Sequence, residues 1–190
     1  MDALPTFLTA VCQDVQNIEI KRYQDAQFRR IPFQQKIGVG LDLAAFEAKK
    51  QAGTLRHVGL TESMQLIANR MGWKLDKTED IIEPVIAQEI IHTDALSIKK
   101  GDALGVMQTG RAYIGDELKI SLQFKAAIGV PESFDEVSIK GTPNINSKIA
   151  GGVNGDIATC AIVINTIPQI LRSTPGLKTM ADIPLVAYFS

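Results

Sequence analysis

The chain has two histidines, two cysteines and one tryptophan in 190 residues, and no excess of charge of either sign. Each scarcity excludes something. Cys12 and Cys160 cannot form a metal site by themselves, and His57 and His92 lack an HxxxH or HExxH partner, so no bound metal is expected. Twenty basic residues against 21 acidic ones give a net charge of -1. A nucleic-acid binder needs a basic surplus to neutralise phosphates, and none is present. Lys and Arg do not cluster beside an apolar face, so binding to a membrane surface is not expected. No apolar run approaches the roughly 20 residues that a bilayer requires. Met1–Pro5 lacks the basic start of a signal peptide. There is no GxSxG nucleophile elbow, and neither cysteine has a catalytic sequence setting. Both cysteines lie in apolar stretches of helical pattern. They are expected to be buried free thiols in a reducing, cytoplasmic setting.

What is present is a globular balance. Hydrophobic residues make up 45% and charged residues 22%, enough apolar surface to offset chain entropy in one domain. Leu4, Phe7, Leu8, Val11 and Val15 recur at helical spacing and predict a helix over 4–16, capped by Asp2 and stopped by Asn17. Ile18 and Ile20 open a strand over 18–26. Residues 27–41, with three basic residues, a proline and two glycines, read as a loop. Asp42 caps a helix over 43–51, and Thr61 caps another over 62–71 that ends at Gly72. Its buried face is Met64, Ile67, Ala68 and Met71. A strand follows over 79–91, and Pro84 inside it demands a sheet edge or a bulge.

The clearest pair is 102–114 with 117–129, joined at Gly115-Asp116 as a hairpin. Shorter strands at 135–141 and 145–150 lead to a glycine-rich turn and a helix over 157–172, which Pro168 should kink. Helices first, strands in the middle and one closing helix predict an α+β fold. Its mixed or mostly antiparallel sheet would be covered by helices, and 1–190 would form a single domain. A broad sheet with an apolar face and few helices to cover it needs another layer. Self-association as a dimer or tetramer is therefore expected.

Chemistry concentrates in two places. Asp25, Arg29, Arg30 and Lys36 fall within twelve positions. Arg and Lys suit a substrate carboxylate, and Asp25 suits an ammonium or the orientation of an arginine. The alternative is a solvated loop whose charges pair with one another. Gly38-Val39-Gly40 is a fragment of a dinucleotide fingerprint without its third glycine or the helix that should follow at once, and a tight turn explains it as well. At 151–156, GGVNGD, free amides before a helix could bind an anion. Alternatively Asp156 caps that helix, or Asn154 or Asp156 faces a substrate. His57 offers a proton donor near neutral pH, with a structural role as the alternative for it and for His92.

Several stretches together resemble one family. They are MDALPTFLTAVCQDV (1–15), RYQDAQFRRIPFQQKIGVGL (22–41), GTLRHVGLTES (53–63), GWKLD (72–76), IKGTPNINSKIAGGVNGDIATCAIVINTIP (139–168) and PGLKTMADIP (175–184). In this order they resemble the C-terminal domain of the 2,4-diaminopentanoate dehydrogenase family, which is more distantly similar to dihydrodipicolinate reductase. The resemblance implies an NAD(P)H-dependent amine dehydrogenase in which a Rossmann domain, absent here, binds the dinucleotide. This domain would supply the substrate pocket and oligomer contacts. Without its Rossmann partner the chain should not transfer hydride, and no cofactor is expected on it alone.

The candidate substrate residues are Asp25, Arg29, Arg30, Lys36, Gly38, Asn154 and Asp156, with Lys36 and His57 as the catalytic candidates. The substrate would be a small amino acid or diamino acid. The reductase branch carries paired histidines that this chain lacks. Relatives often place His before Gly-Asp, where Asn154 stands, and an amide cannot titrate. A stand-alone, non-catalytic small-molecule binding or scaffold module is the alternative, as is a subunit completed by a separate Rossmann protein.

Overall fold

In the computed structural model, residues 1–55, 59–93 and 96–189 are described. The chain divides into two compact units, Met1–Gly152 and Val153–Ser190.

The first unit is an α+β layer pair. Helix α1 (Ala3–Leu8) and a short 3-10 turn precede strand β1 (Asp14–Asp25). The helix expected over 4–16 is therefore less than half that length, and Asn17 lies inside a strand. The stripe beginning at Leu4 does not continue as a helix because Val15, Ile18 and Ile20 are needed against neighbouring strands. The segment read as a loop holds helix α2 (Ile31–Lys36), with Pro32 in its first turn, where a missing N–H costs nothing. Helices α3 (Leu43–Gln51) and α4 (Leu60–Met71) follow. Asp42 caps α3 as expected, accepting from the Ala45 amide at 2.8 Å. The start of α4 is corrected, because Gly59 is the cap residue and Thr61 is already helical.

Strands β2 (Lys77–Ile86), β3 (Ile91–His92), β4 (Ser97–Ile98), β5 (Ala103–Ile114), β6 (Glu117–Ala127), β7 (Phe134–Thr142) and β8 (Ile145–Ala150) complete the unit. The main sheet has the order β2-β5-β6-β1-β7-β8. Only β1 and β6 run parallel; the other pairs in it are antiparallel. Pro84 lies in β2, an edge strand, where its missing N–H breaks no interior ladder.

One face of the sheet is apolar and covered. Ile18, Ile20, Ile120, Leu122, Ala112, Val137 and Ile139 pack beneath Leu60, Met64, Ile67 and Ala68 of α4. Further along, Phe124, Ala126 and Val106 pack with Phe46 of α3 and with Ile37, Val39 and Leu55. Helices therefore supply the layer that the sequence left in question, and the bare face of the sheet is polar. That face carries Lys77–Glu79 at 2.6 Å, Glu19–Lys21 at 3.1 Å and a Tyr23–Gln123 hydrogen bond at 3.0 Å.

Asp2 ties the start of the chain to this core. One carboxylate oxygen accepts from the Ala3 amide at 2.6 Å and the other from the Ser63 hydroxyl of α4 at 2.7 Å. Burial pushes this carboxyl up, but the Met1 ammonium, the Ser63 hydroxyl and the Ala3 amide outweigh it, so its pKa lies below the ordinary value. Asp2→Ala is expected to cost about 1 kcal/mol at neutral pH. A depressed native pKa contributes stability above the unfolded carboxyl range and loses it as pH falls through the native value. The difference between variant and parent should therefore vanish in acid. A gap in urea midpoint that persists there would contradict this.

The second unit contains helix α5 (Gly155–Arg172), which includes Pro168, and the tail beyond it. None of its helical residues is buried. The expected buried thiols are corrected by position. Cys160 is exposed on α5, and Cys12, outside any helix, is half-buried with its Sγ 3.7 Å from the Pro143 carbonyl. Among the described residues no helix is long and apolar enough to cross a membrane.

Candidate functional site

The charged segment after β1 is built by the parallel strand pair. β1 and β6 end together at Asp25 and Ala127. Asp25 fastens the chain beyond both ends: its Oδ1 accepts from the Gln27 amide at 3.0 Å and from the Gly129 amide at 3.1 Å. Its own amide donates to the Ser133 hydroxyl at 2.9 Å. One carboxylate thus clamps the exits of two strands.

Arg29 is held from two sides. Its Nη1 donates to Gln24 Oε1 at 2.8 Å, and its guanidinium lies 4.1 Å from the centre of the Phe33 ring. Stacking together with a hydrogen bond restrains the guanidinium plane. Arg30 is the cap residue of α2 and Lys36 lies in its last turn, both exposed.

Gln34 organises the segment. It is buried, and its Nε2 lies 3.0 Å from the Ala26 carbonyl, 3.2 Å from that of Gln27 and 3.1 Å from that of Arg29. Neither Gln24 nor Gln34 stood out in the sequence. A glutamine in a polar stretch has no period to betray it. The only usable signal was the helix hidden behind Pro32, which turns Gln34 inward.

Gly38 comes directly after α2 and Ile37 and is buried, with φ +79°. A Cβ there would stand 2.7 Å from Leu55 Cδ1 and 3.0 Å from Phe46 Cδ2. The turn therefore packs into the core and offers no cradle for a pyrophosphate. The second glycine turn is also committed. Asn154, not Asp156, caps α5, and its Oδ1 accepts from the Asp156 amide at 2.9 Å and the Ile157 amide at 3.3 Å. Asp156 stands in the first turn, where a negative charge suits the helix dipole. The residues present in these two turns do not fit a dinucleotide.

The structure thus gathers Asp25, Arg29, Arg30, Lys36 and Gly38 in one segment of the first unit, while Asn154 and Asp156 belong to the second. His57 lies outside the described residues. His92 is exposed, and its Nδ1 is 2.7 Å from the Ser97 hydroxyl across the β3–β4 pair. An open groove of about 490 Å³ crosses β1, β7 and β8 beside Asn17, Glu19, Ser138, Lys140 and Asn146. It sits toward the start of β1, away from the end that carries Asp25, and includes none of the candidate residues. No group of three or more potential metal ligands occurs among the described residues.

The helix-covered mixed sheet is a fold found in a solved dehydrogenase. An amine dehydrogenase from Mycobacterium smegmatis shares the fold with a TM-score of 0.82 at 17% identity, over 99% of this chain and 56% of that one. The sequence places the chain more narrowly. Residues 1–189 match the family model of the 2,4-diaminopentanoate dehydrogenase C-terminal domain, and the chain belongs to that family. It is 34% identical over 192 aligned positions to 2,4-diaminopentanoate dehydrogenase from Acetoanaerobium sticklandii, covering 97% of this chain and 54% of that protein. The chain spans about half the length of the relatives it matches.

Proposed function

We propose that this chain is the substrate-side domain of an oxidoreductase acting on the amine of a small amino or diamino acid. Its hydride would be exchanged with a nicotinamide dinucleotide held by a second, Rossmann-type domain. The observation that carries the reading is the family match over residues 1–189. The committed glycine turns support placing the dinucleotide elsewhere, and so support inactivity in hydride transfer when the chain is alone.

Within this reading the segment after β1 recognises the substrate. Arg29 is a preset guanidinium. Arg30 and Lys36 add exposed positive charge at the two ends of α2, suited to a carboxylate. Asp25 keeps the segment in place and supplies negative charge toward an ammonium. Asn154 and Asp156 are further substrate contacts, and Lys36 and His57 are candidates for proton transfer.

In the protein assembled with its dinucleotide domain, Lys36→Ala should raise KM for the amino acid by about ten-fold, the loss of one charged contact. KM for the dinucleotide should stay put. Equal rises in both would remove Lys36 from the substrate site. An immunoblot of the source cells tests the wider reading. A band near twice 20.7 kDa supports a two-domain enzyme. A band at 20.7 kDa, with no separate Rossmann partner, favours a binding module. Two copies associating about a two-fold axis is part of this reading, and sedimentation mass tests it.

A further inference from the structure

Helix α2 has six residues, under two turns, and among the described residues no side-chain hydrogen bond caps its start. A helix of that length does not hold itself in water. Gln34 ties it down at both ends of its own structure. Its main-chain carbonyl accepts from the Val39 amide at 3.1 Å, which links α2 to the core that Val39 enters. Its carboxamide donates to the Ala26, Gln27 and Arg29 carbonyls at 3.0, 3.2 and 3.1 Å. Two amide hydrogens are thus shared among three acceptors. All three carbonyls precede α2, so the turn after β1 is wrapped around one side chain of the helix that follows it.

Arg29 stands at the join. Its carbonyl accepts from Gln34, its amide donates to the Ala26 carbonyl at 3.1 Å, and its guanidinium lies over the ring of Phe33, the residue before Gln34. A shift of α2 moves the carbonyl contact and the ring together, and the guanidinium with them. Burial explains an apolar residue at position 34 as well as a glutamine; three converging carbonyls explain a donor. Gln34 is 5% exposed. Without its amide the three carbonyls lose a shared donor, and the turn must open to water to replace it.

We propose that Gln34 is a positioning residue that acts through Arg29: it fixes that guanidinium for the substrate carboxylate and touches no substrate itself. The proposal rests on the substrate-side reading above, in which Arg29 meets the carboxylate.

Gln34→Met keeps the length and the burial and removes the donors. The first measurement is limited trypsin digestion of the chain alone, which needs no substrate. Cleavage after Arg29 and Arg30 should quicken at least about ten-fold, while cleavage after Lys50 on α3 keeps its rate, because the turn opens locally. Equal acceleration at all three sites would show a general loss of stability and overturn the proposal, as would no acceleration. Gln34→Glu turns an acceptor toward three carbonyls and should match Gln34→Met; a Glu variant cut as slowly as the parent would also overturn it.

The second measurement uses the protein assembled with its dinucleotide domain, with pentanoate and pentylamine as probes. Gln34→Met should weaken pentanoate about ten-fold and leave pentylamine and the dinucleotide unchanged. Equal weakening of pentylamine would make the effect general and overturn the proposal. In an Arg29→Ala background the same substitution should add less than about two-fold, since its route of action is gone. Additive losses would separate Gln34 from Arg29 and overturn it. A loosened turn with pentanoate unaffected, or a parent that binds no pentanoate, would remove Arg29 from the substrate site and the proposal with it. A held turn with weakened pentanoate would overturn the positioning role and keep the substrate reading.

Discussion

Gly105→Ala is expected to destabilise the first unit severely. Gly105 pairs with Ala127 across β5 and β6 at φ +149°, a backbone state that side chains rarely adopt. A Cβ there would lie 2.1 Å from the Ala126 carbonyl oxygen and 2.7 Å from the Ala127 Cα. Both obstacles are backbone, so no rotamer change relieves them. The hairpin must open or bend at the very end where β6 and β1 leave the sheet together. A cost above about 4 kcal/mol is expected, a large part of the 5–15 kcal/mol that holds an average domain. Gly115→Ala is the control. Its φ is +56° with nothing within 4 Å of the added carbon, so only the conformational cost of about 1 kcal/mol applies. Soluble yield and urea midpoint read both. A Gly105→Ala protein as stable as the control would show that the hairpin end tolerates a shift.

The next largest effect belongs to Asp135→Ala. Arg22 Nη1 and Asp135 Oδ1 are 2.7 Å apart across β1 and β7, with side chains 17% and 15% exposed. They lie on the helix-covered face in register with Phe124, beside apolar neighbours that offer poor solvation. Removing the carboxylate strips the guanidinium of its closest counter-charge while it stays mostly out of water. The expected loss is about 2–4 kcal/mol, somewhat below the fully buried case because some solvent reaches both groups. The double variant Arg22→Met with Asp135→Leu should regain most of that, since no charge is then left behind. A double variant whose loss equals the sum of the two single losses would mean the pair is not coupled.

The legible parts of this fold were those decided locally. The β5–β6 hairpin declared itself through the Gly115-Asp116 turn and the alternation of Ile120, Leu122 and Phe124 with polar residues after it, and α3 through Asp42. Pro84 called for an edge or a bulge, and its strand lies at the sheet edge with a register shift at Val85–Ile86. The misread parts were those where distant partners decide. Residues 14–16 follow helical spacing, yet β7 recruits this stretch into a strand. Residues 31–36 look broken by Pro32, yet proline is harmless in a first turn. Asn154 rather than Asp156 caps α5, because Asn154 holds the extended backbone conformation of a cap, with ψ 113°.

In the candidate site, the charged residues after β1 were visible as a cluster. The scaffold of buried Gln24 and Gln34 with half-buried Phe33 was not, because its order arises from three carbonyls and a ring brought together by α2. Gly38 was visible as a turn, but only the Leu55 and Phe46 side chains show that it serves packing.

The strand order has a consequence for how the chain is made. β1 is synthesised first, but its two neighbours, β6 and β7, come late; Ile18 pairs with Ile120 and with Ile139. At ribosomal speed the roughly 100 intervening residues take about 5–20 s to emerge. Throughout that time β1 is a nascent strand with both edges open and its isoleucines uncovered. Completing the sheet requires this early strand to pair on both sides with strands made much later, a non-local and slow event. During it the growing polypeptide is most exposed to aggregation and most dependent on chaperones.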